Sequence, residues 1–389
     1  MEMSRHVIIV GGGPTGLLTA LGLAKAGTRV TVLEAEPQLN DSPRALVYHY
    51  PVLPHLERMG LLQDCVAEGF LRQSFGWHIF STGEMIEWDC LPESAAGQAL
   101  HLHQGLFSKV LARHVAQSSN IEIRYQARLL GCVQHDDKVV AEIDGPEGLE
   151  QFDGDFLIGA DGAGSTVRKN VLGLEFFGVT WPDRYIATNT RIDLSSCGYS
   201  PSVMQIDQKH GAVICKIDDS DVWRVTFVED PSLPIERLPE RIDAMFADHL
   251  PDLPYEVKAY APYRMHQRVA DKMRVGRILL VGDAAHVTNP TGGLGLTGGM
   301  FDAFALIEAL NRVLQENASH DVLDFYERDR RRIFIEVTSV RASSNLRNLY
   351  QLKEGQQKEE FVQFLRTVAG SDELMRREMS FTEQLETRF

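Results

Sequence analysis

The feature that most constrains this chain is the run His6-Val-Ile-Ile-Val10, followed at once by Gly11-Gly-Gly13-Pro14-Thr15-Gly16. An apolar, β-branched run of this kind suits a strand buried on both faces. Leu17 to Ala26 is rich in Leu and Ala and closes at Gly27, which reads as a helix with a C′ glycine. Arg29 to Leu33 alternates as a second strand, and Glu34 ends it. A strand–helix–strand start implies a parallel pair joined by a right-handed crossover. Gly11 makes the tight turn, Gly13 lets backbone approach a pyrophosphate, and Gly16 lets helix and strand pack closely. Pro14 and Thr15 lie in the same turn, where the helix N-terminus offers N–H groups and positive dipole to phosphate. Glu34 can accept from both hydroxyls of an adenosine ribose. The pattern therefore says dinucleotide, and it does not choose between FAD and NAD.

At 389 residues the chain suits two or three packed units. Its 44% hydrophobic and 24% charged residues are those of an ordinary soluble globular protein. A net charge of -15 repels phosphate backbones, which argues against nucleic acid as a partner. An anionic small substrate is still allowed, because a local pocket can oppose the global field. No secretory signal precedes the first strand, and no run of about 18 apolar residues could span a membrane. Cys65, Cys90, Cys132, Cys197 and Cys215 are scattered without metal or redox spacing. The expectation is a cytoplasmic protein with reduced thiols and no metal site.

The expected fold class is α/β. A Rossmann-type dinucleotide domain is read from 1–74, 101–179 and 271–320, where strand and helix signals recur. A second, β-sheet substrate domain is read from 75–100 and 180–270, with strand-like stretches such as Trp223-Arg-Val-Thr-Phe-Val between acidic and Pro-rich turns. Asn120 to Asp155 reads as a β-meander turning at Gly145-Pro146. Residues 321–389 form a charged, helical C-terminal region.

Two further motifs narrow the reading. Asp155-Phe-Leu-Ile-Gly-Ala-Asp161-Gly-Ala-Gly-Ser-Thr-Val-Arg168 is a strand feeding a glycine turn. Arg277-Ile-Leu-Leu-Val-Gly282-Asp283-Ala-Ala-His286 is another strand ending in an acid, followed by Pro290-Thr-Gly-Gly293-Leu-Gly295 and a helix. In this order the three motifs resemble the single-component FAD-dependent aromatic hydroxylases with the para-hydroxybenzoate hydroxylase fold, from Val7 to about Arg332. The resemblance implies FAD as cofactor, with Gly282 and Asp283 at its ribityl chain. It places Gly293 and Gly295 at the cofactor, and Leu296, Thr297 and Gly298 as backbone donors at the pyrimidine end of the flavin. It also implies cofactor contacts from Arg44 and Gln104, and a shared role of Asp161 and Arg168 toward FAD and a transient NADH or NADPH. Where the family commonly has Asn, this chain has Thr297, which puts a side-chain contact to the flavin in doubt. The segment from Arg44 to Gly60 is most similar to the branch acting on hydroxyphenyl-alkanoates and hydroxypyridines.

The implied reaction is ring hydroxylation of a small phenolic or hydroxypyridine substrate, with dioxygen, through a flavin hydroperoxide. No second nucleotide fingerprint appears, so the hydride donor is expected to bind transiently in a cleft. The protein's share is to deprotonate the ring hydroxyl and keep water out. The Pro290 carbonyl matches the family position facing that hydroxyl, and His49 or Tyr48 could act as base. Trp223 and Arg224 must face opposite sides of a strand. An inward Arg224 would select a carboxylate, whereas an outward one is merely solvated. His101, His103, Cys215 and Tyr263 are further pocket candidates. Asp161 could simply cap the short helix after it, Arg168 could be its partner, His286 could order its loop, and Asp302 could be a surface or capping residue. The charged tail could supply a homodimer face, as in relatives. An FAD-dependent dehydrogenase or reductase on the same fold and a non-enzymatic flavin-binding protein are the alternatives.

Overall fold

The computed structural model describes residues 5–39, 45–89, 98–218, 220–250 and 252–389. Its first layer is a six-stranded sheet with His6–Val10 at the centre. The parallel strands Arg29–Leu33 and Phe156–Gly159 flank it on either side. Ile278–Leu280 adds in parallel beyond Phe156–Gly159, and Ile121–Arg124 beyond Arg29–Leu33. All five residues of His6–Val10 are buried, as a strand covered on both faces requires. The helix Pro14–Lys25 begins with Gly13 as N-cap and Pro14 at its first turn, three residues earlier than the Leu/Ala run alone suggested. It packs against the helices Gln104–Ala116 and Leu294–Glu316.

This order brings the three motifs together. Gly11, Glu34, Asp161 and Gly282 follow strands that are adjacent and parallel, so their carboxyl ends open on one edge of the sheet. Arg128–Gln134, Val139–Gly145 and Gly148–Gly154 form the expected meander, its last turn spanning residues 146 and 147.

A second, seven-stranded sheet runs Glu256–Tyr263, Arg184–Arg191, Val222–Glu229, Ala212–Lys216, Ser202–Ile206, Ser74–Ile79 and Glu84–Asp89. One face carries Trp223, Val225 and Phe227 into a core closed by the helix Leu238–His249. The other face meets the C-terminal region. Leu346, Leu349 and Leu365, from the helices Ser339–Tyr350 and Gln356–Ala369, share a core with Trp77 and Trp88. The tail is thus helical as expected, and part of its apolar surface is buried within the chain. Among the described residues no helix is long and apolar enough to cross a membrane.

Candidate active site

Between the two sheets lies a cavity of about 690 Å³ that runs from the glycine turn to the inner face of the second sheet. At one end the turn is forced by contact. Gly11 has φ +106°, and a Cβ on it would sit 2.5 Å from the carbonyl oxygen of Ala160. A Cβ on Gly16 would overlap the Gly11 carbonyl, whereas one on Gly13 would meet nothing within 4 Å. That open space lies at the helix N-terminus, beside Pro14 and Thr15 on the cavity wall. Open space at a helix N-terminus suits a pyrophosphate, so the residues fit the group the motifs imply. Glu34 is already oriented: Oε2 accepts from Gly12 N at 2.7 Å and Oε1 from Glu36 N at 2.9 Å. Each oxygen retains accepting capacity for a ribose hydroxyl.

Asp283, Gly293, Gly295, Leu296, Gln104 and Asp161 also line the cavity. Asp161 caps its short helix. Oδ2 accepts from Thr166 N at 2.6 Å and Val167 N at 3.1 Å, and Oδ1 from the Ser165 hydroxyl at 2.5 Å. Arg168 lies behind the wall rather than on it. It is buried, donates to the carbonyls of Ala163 and Ala284 at 2.7 Å each, and stands 3.7 Å over the Phe176 ring. The Asp161 charge acts on Arg168, but the hydrogen bonds of Arg168 tie the second motif to the third. Gly16, Gly282, Thr297 and Gly298 likewise sit just behind the cavity surface. The Thr297 hydroxyl donates to Gly293 O at 2.9 Å. Arg44 lies outside the described residues.

A buried polar knot braces this edge. Asp302 is fully buried, not a surface residue. It accepts from Arg330 Nε at 2.6 Å and from Gly282 N at 3.1 Å, and lies 2.7 Å from His286 Nε2. Burial pushes the Asp302 carboxyl up, but the charges of His286 and Arg330 and their hydrogen bonds outweigh it and hold it at about 2. Arg330 also donates to Gly298 O at 3.2 Å and to Leu385 O at 2.5 Å, which joins the C-terminal segment to the first turns of the helix Leu294–Glu316. His286 stacks on Phe334, consistent with a role in ordering its loop.

At the other end the wall is side chain. Alternation along Val222–Glu229 buries Trp223 in the far core and turns Arg224 into the cavity. The inward reading of Arg224 is the one observed. Across the sheet Arg224 sits opposite Asn189 and Cys215, and Cys215 opposite Ser202. Arg224 donates to Asn189 Oδ1 at 2.9 and 3.1 Å, and burial lowers its pKa. Two further arginines reach the same wall, neither of them anticipated from sequence. Arg72 ends the strand Phe70–Arg72, and Arg341 comes from the helix Ser339–Tyr350 beside Phe381 and Asn345. No pattern in one sequence marks them.

His49 lines the cavity, and its Nε2 lies 2.6 Å from Gly292 O. Tyr48 does not. The two alternate along the chain, and the Tyr48 ring lies in the core 5.4 Å from Phe107. The proposed base role of Tyr48 therefore has no support in its placement, because strand geometry points it away. Pro290 lines the cavity, and its carbonyl accepts from Gly293 N at 3.2 Å within the loop. Among the other candidates, Cys215 is on the wall, whereas His101, Tyr263 and the helix-capping His103 are not.

Residues 4–340 match the model of the FAD binding domain family. The chain belongs to this family. It is 55% identical, over 100% of both chains, to 6-hydroxy-3-succinoylpyridine 3-monooxygenase of Pseudomonas putida (strain DSM 28022 / S16). It is 42% identical to para-nitrophenol 4-monooxygenase of Pseudomonas sp. (strain WBC-3), over 89% of this chain and 87% of the relative. The crystal structure of p-nitrophenol 4-monooxygenase from Pseudomonas putida DLL-E4 superposes with a TM-score of 0.94 at 38% identity, covering 100% of each chain. A ternary complex of aklavinone-11 hydroxylase with FAD and aklavinone gives 0.78 at 28% identity, over 90% of this chain and 70% of that one. The chain is an FAD-dependent aromatic-ring monooxygenase that uses NAD(P)H and dioxygen.

Proposed function

We propose that this monooxygenase hydroxylates a hydroxypyridine or phenol that carries a carboxylate arm, the substrate class of its 55% identical relative. The observation that carries this reading is the charge of the ring-binding wall. Arg72, Arg224 and Arg341 come from three separate elements, and Glu378 is the carboxylate beside them on the wall. Arg341 donates to the Glu378 carbonyl at 3.1 Å and pairs with its carboxylate at 3.4 Å. Guanidinium groups gathered on one wall of a cavity favour an anionic ligand and bind a carboxylate through paired hydrogen bonds. This local field opposes the net charge of -15 on the whole chain.

The residues present fit FAD. Gly11 to Thr15 would hold its pyrophosphate, Glu34 its adenosine ribose, and Asp283 its ribityl chain. Backbone donors of Gly295 and Leu296, in the first turn of the helix, would face the flavin's polar edge. FAD supplies two-electron reduction by NADH or NADPH and activation of dioxygen. The protein orients the ring between the sheet face and the Pro290 loop, excludes water with Met204, Val213 and Phe381, and receives the ring proton.

The test is NADH and NADPH oxidation by the FAD-loaded protein with matched pairs of ring compounds, with and without a carboxylate arm, and identification of the hydroxylated product. Faster, product-coupled turnover of the acids supports the reading. Equal turnover of 4-nitrophenol and the acids would leave the arginines without the role assigned here.

A further inference from the structure

We propose that His49 accepts the proton of the substrate's ring hydroxyl, and that the substrate's own carboxylate, seated against Arg72 and Arg341, enables it to do so. The inference rests on the carboxylate reading above. Its geometric basis is the His49 tautomer. A carbonyl can only accept, so Nε2 donates to Gly292 O at 2.6 Å and Nδ1 keeps its lone pair. That carbonyl lies in the loop between Pro290 and the helix Leu294–Glu316, on the cavity wall. In the step itself the ring O–H breaks and an N–H forms at Nδ1. The electron pair stays on the ring oxygen, where it enriches the ring for attack.

The surrounding charge explains why a ligand is needed. Burial weakens the His49 base most; the Gly292 carbonyl works against this, and Arg72 and Arg341 weaken it further, to about 4. An imidazole that weak holds a phenol proton poorly, since a free phenol has a pKa of about 10. Among the described residues, the charged and titratable groups around it on the wall are Arg72 and Arg341, then Arg224 and Cys215 on the sheet and Glu378 on the helix Asp372–Met379. A carboxylate bonded to Arg72 and Arg341 offsets the cationic part of the depression. One unit charge offset at several ångströms corresponds to roughly one to two pKa units. The carboxylate and the ring oxyanion then offset two of the three positive charges carried by the imidazolium, Arg72 and Arg341.

The sign is testable without turnover. If a ligand carboxylate raises the His49 pKa, binding takes up protons at pH values between the free and bound pKa. Calorimetric titration of the FAD-loaded protein with 3-benzoylpropionate, a carboxylate arm on a hydroxyl-free ring, in buffers of different ionisation enthalpy near about pH 5.5 measures that uptake. The expected result is a substantial fraction of a proton per ligand, absent in His49→Gln and unaffected by Glu378→Gln. In turnover of a carboxylated phenol, His49→Gln should lower kcat by roughly 10²-fold or more with little change in KM, and raising the pH should recover part of the loss. Binding without proton uptake, or uptake that survives in His49→Gln or vanishes in Glu378→Gln, overturns the coupling while leaving the carboxylate reading standing. Failure of 3-benzoylpropionate to bind overturns both, because the carboxylate reading itself is then wrong.

Discussion

The two ends of the cavity are built on different principles. The dinucleotide end is made of backbone: a glycine turn, helix N-termini and carbonyl-anchored loops, set by adjacent parallel strands. The far end, proposed to take the ring, is made of side chains delivered by a strand after residue 69, the mixed seven-stranded sheet and two C-terminal helices. Backbone sites tolerate little change in residue type, because a Cβ in the wrong place overlaps main chain. Side-chain sites can be re-specified one residue at a time without disturbing the fold. Within one family, the first end would hold the cofactor and the second would choose the ring.

The largest effect should come from the knot that supports the backbone end. Arg330→Met leaves Asp302 buried without its guanidinium and frees Gly298 O and Leu385 O, so unfolding free energy in denaturant should fall by about 3–5 kcal/mol. Asp302 also sets an acid limb. Its folded pKa of about 2 lies below its ordinary value of 3.8, so its contribution is present above that value and lost as pH falls from 3.8 towards 2. Asp302→Asn should be less stable at neutral pH and should lose this part of the acid dependence.

Next, two glycines separate folding from binding. Gly16→Ala drives a Cβ into the Gly11 carbonyl and should give little folded protein. Gly13→Ala adds a methyl where nothing lies within 4 Å, on a backbone with φ -72° that any residue adopts. It should fold normally, by circular dichroism and thermal melting, yet purify with less bound flavin. If Gly13→Ala keeps its full yellow spectrum, the open space is not the pyrophosphate cradle.

At the ring end, Arg72→Gln and Arg341→Gln should each raise KM for a carboxylated substrate roughly 10- to 100-fold, the worth of a charge-assisted hydrogen bond. KM for 4-nitrophenol should hardly move. A parallel rise for both ligands would mean that these arginines shape the wall rather than read a charge.

This contrast also explains what could be read from the chain. The glycine turn, Glu34, Asp161 and Asp283 were legible because each follows a strand and sits where local geometry demands its residue type. The helices around Gln104 and beyond Gly293 were legible from periodicity and from the glycines before them. Arg72 and Arg341 were not legible, because only tertiary packing brings them within reach of His49. Asp302 looked like an ordinary helical acid, since nothing local shows that Arg330 and His286 converge on it. Tyr48 and His49 differ in a way the alternation rule could decide only once the cavity face of Val47 was known.

The smallest expected effect tests where the backbone end stops depending on side chains. Thr297 stands where relatives of this type carry an amide, yet its hydroxyl donates to Gly293 O within the same helical turn. A hydroxyl held this way reinforces the first turn of the helix rather than reaching outward. Thr297→Val preserves shape and removes only that bond, so it should cost about 0.5–1.5 kcal/mol of stability and leave flavin affinity unchanged. Thr297→Asn should also leave flavin affinity unchanged if the polar edge is served by main-chain donors alone. A gain in flavin affinity with Asn would show that this edge, too, can be tuned by a side chain, and the division between the two ends of the cavity would have to be drawn one turn further along the helix.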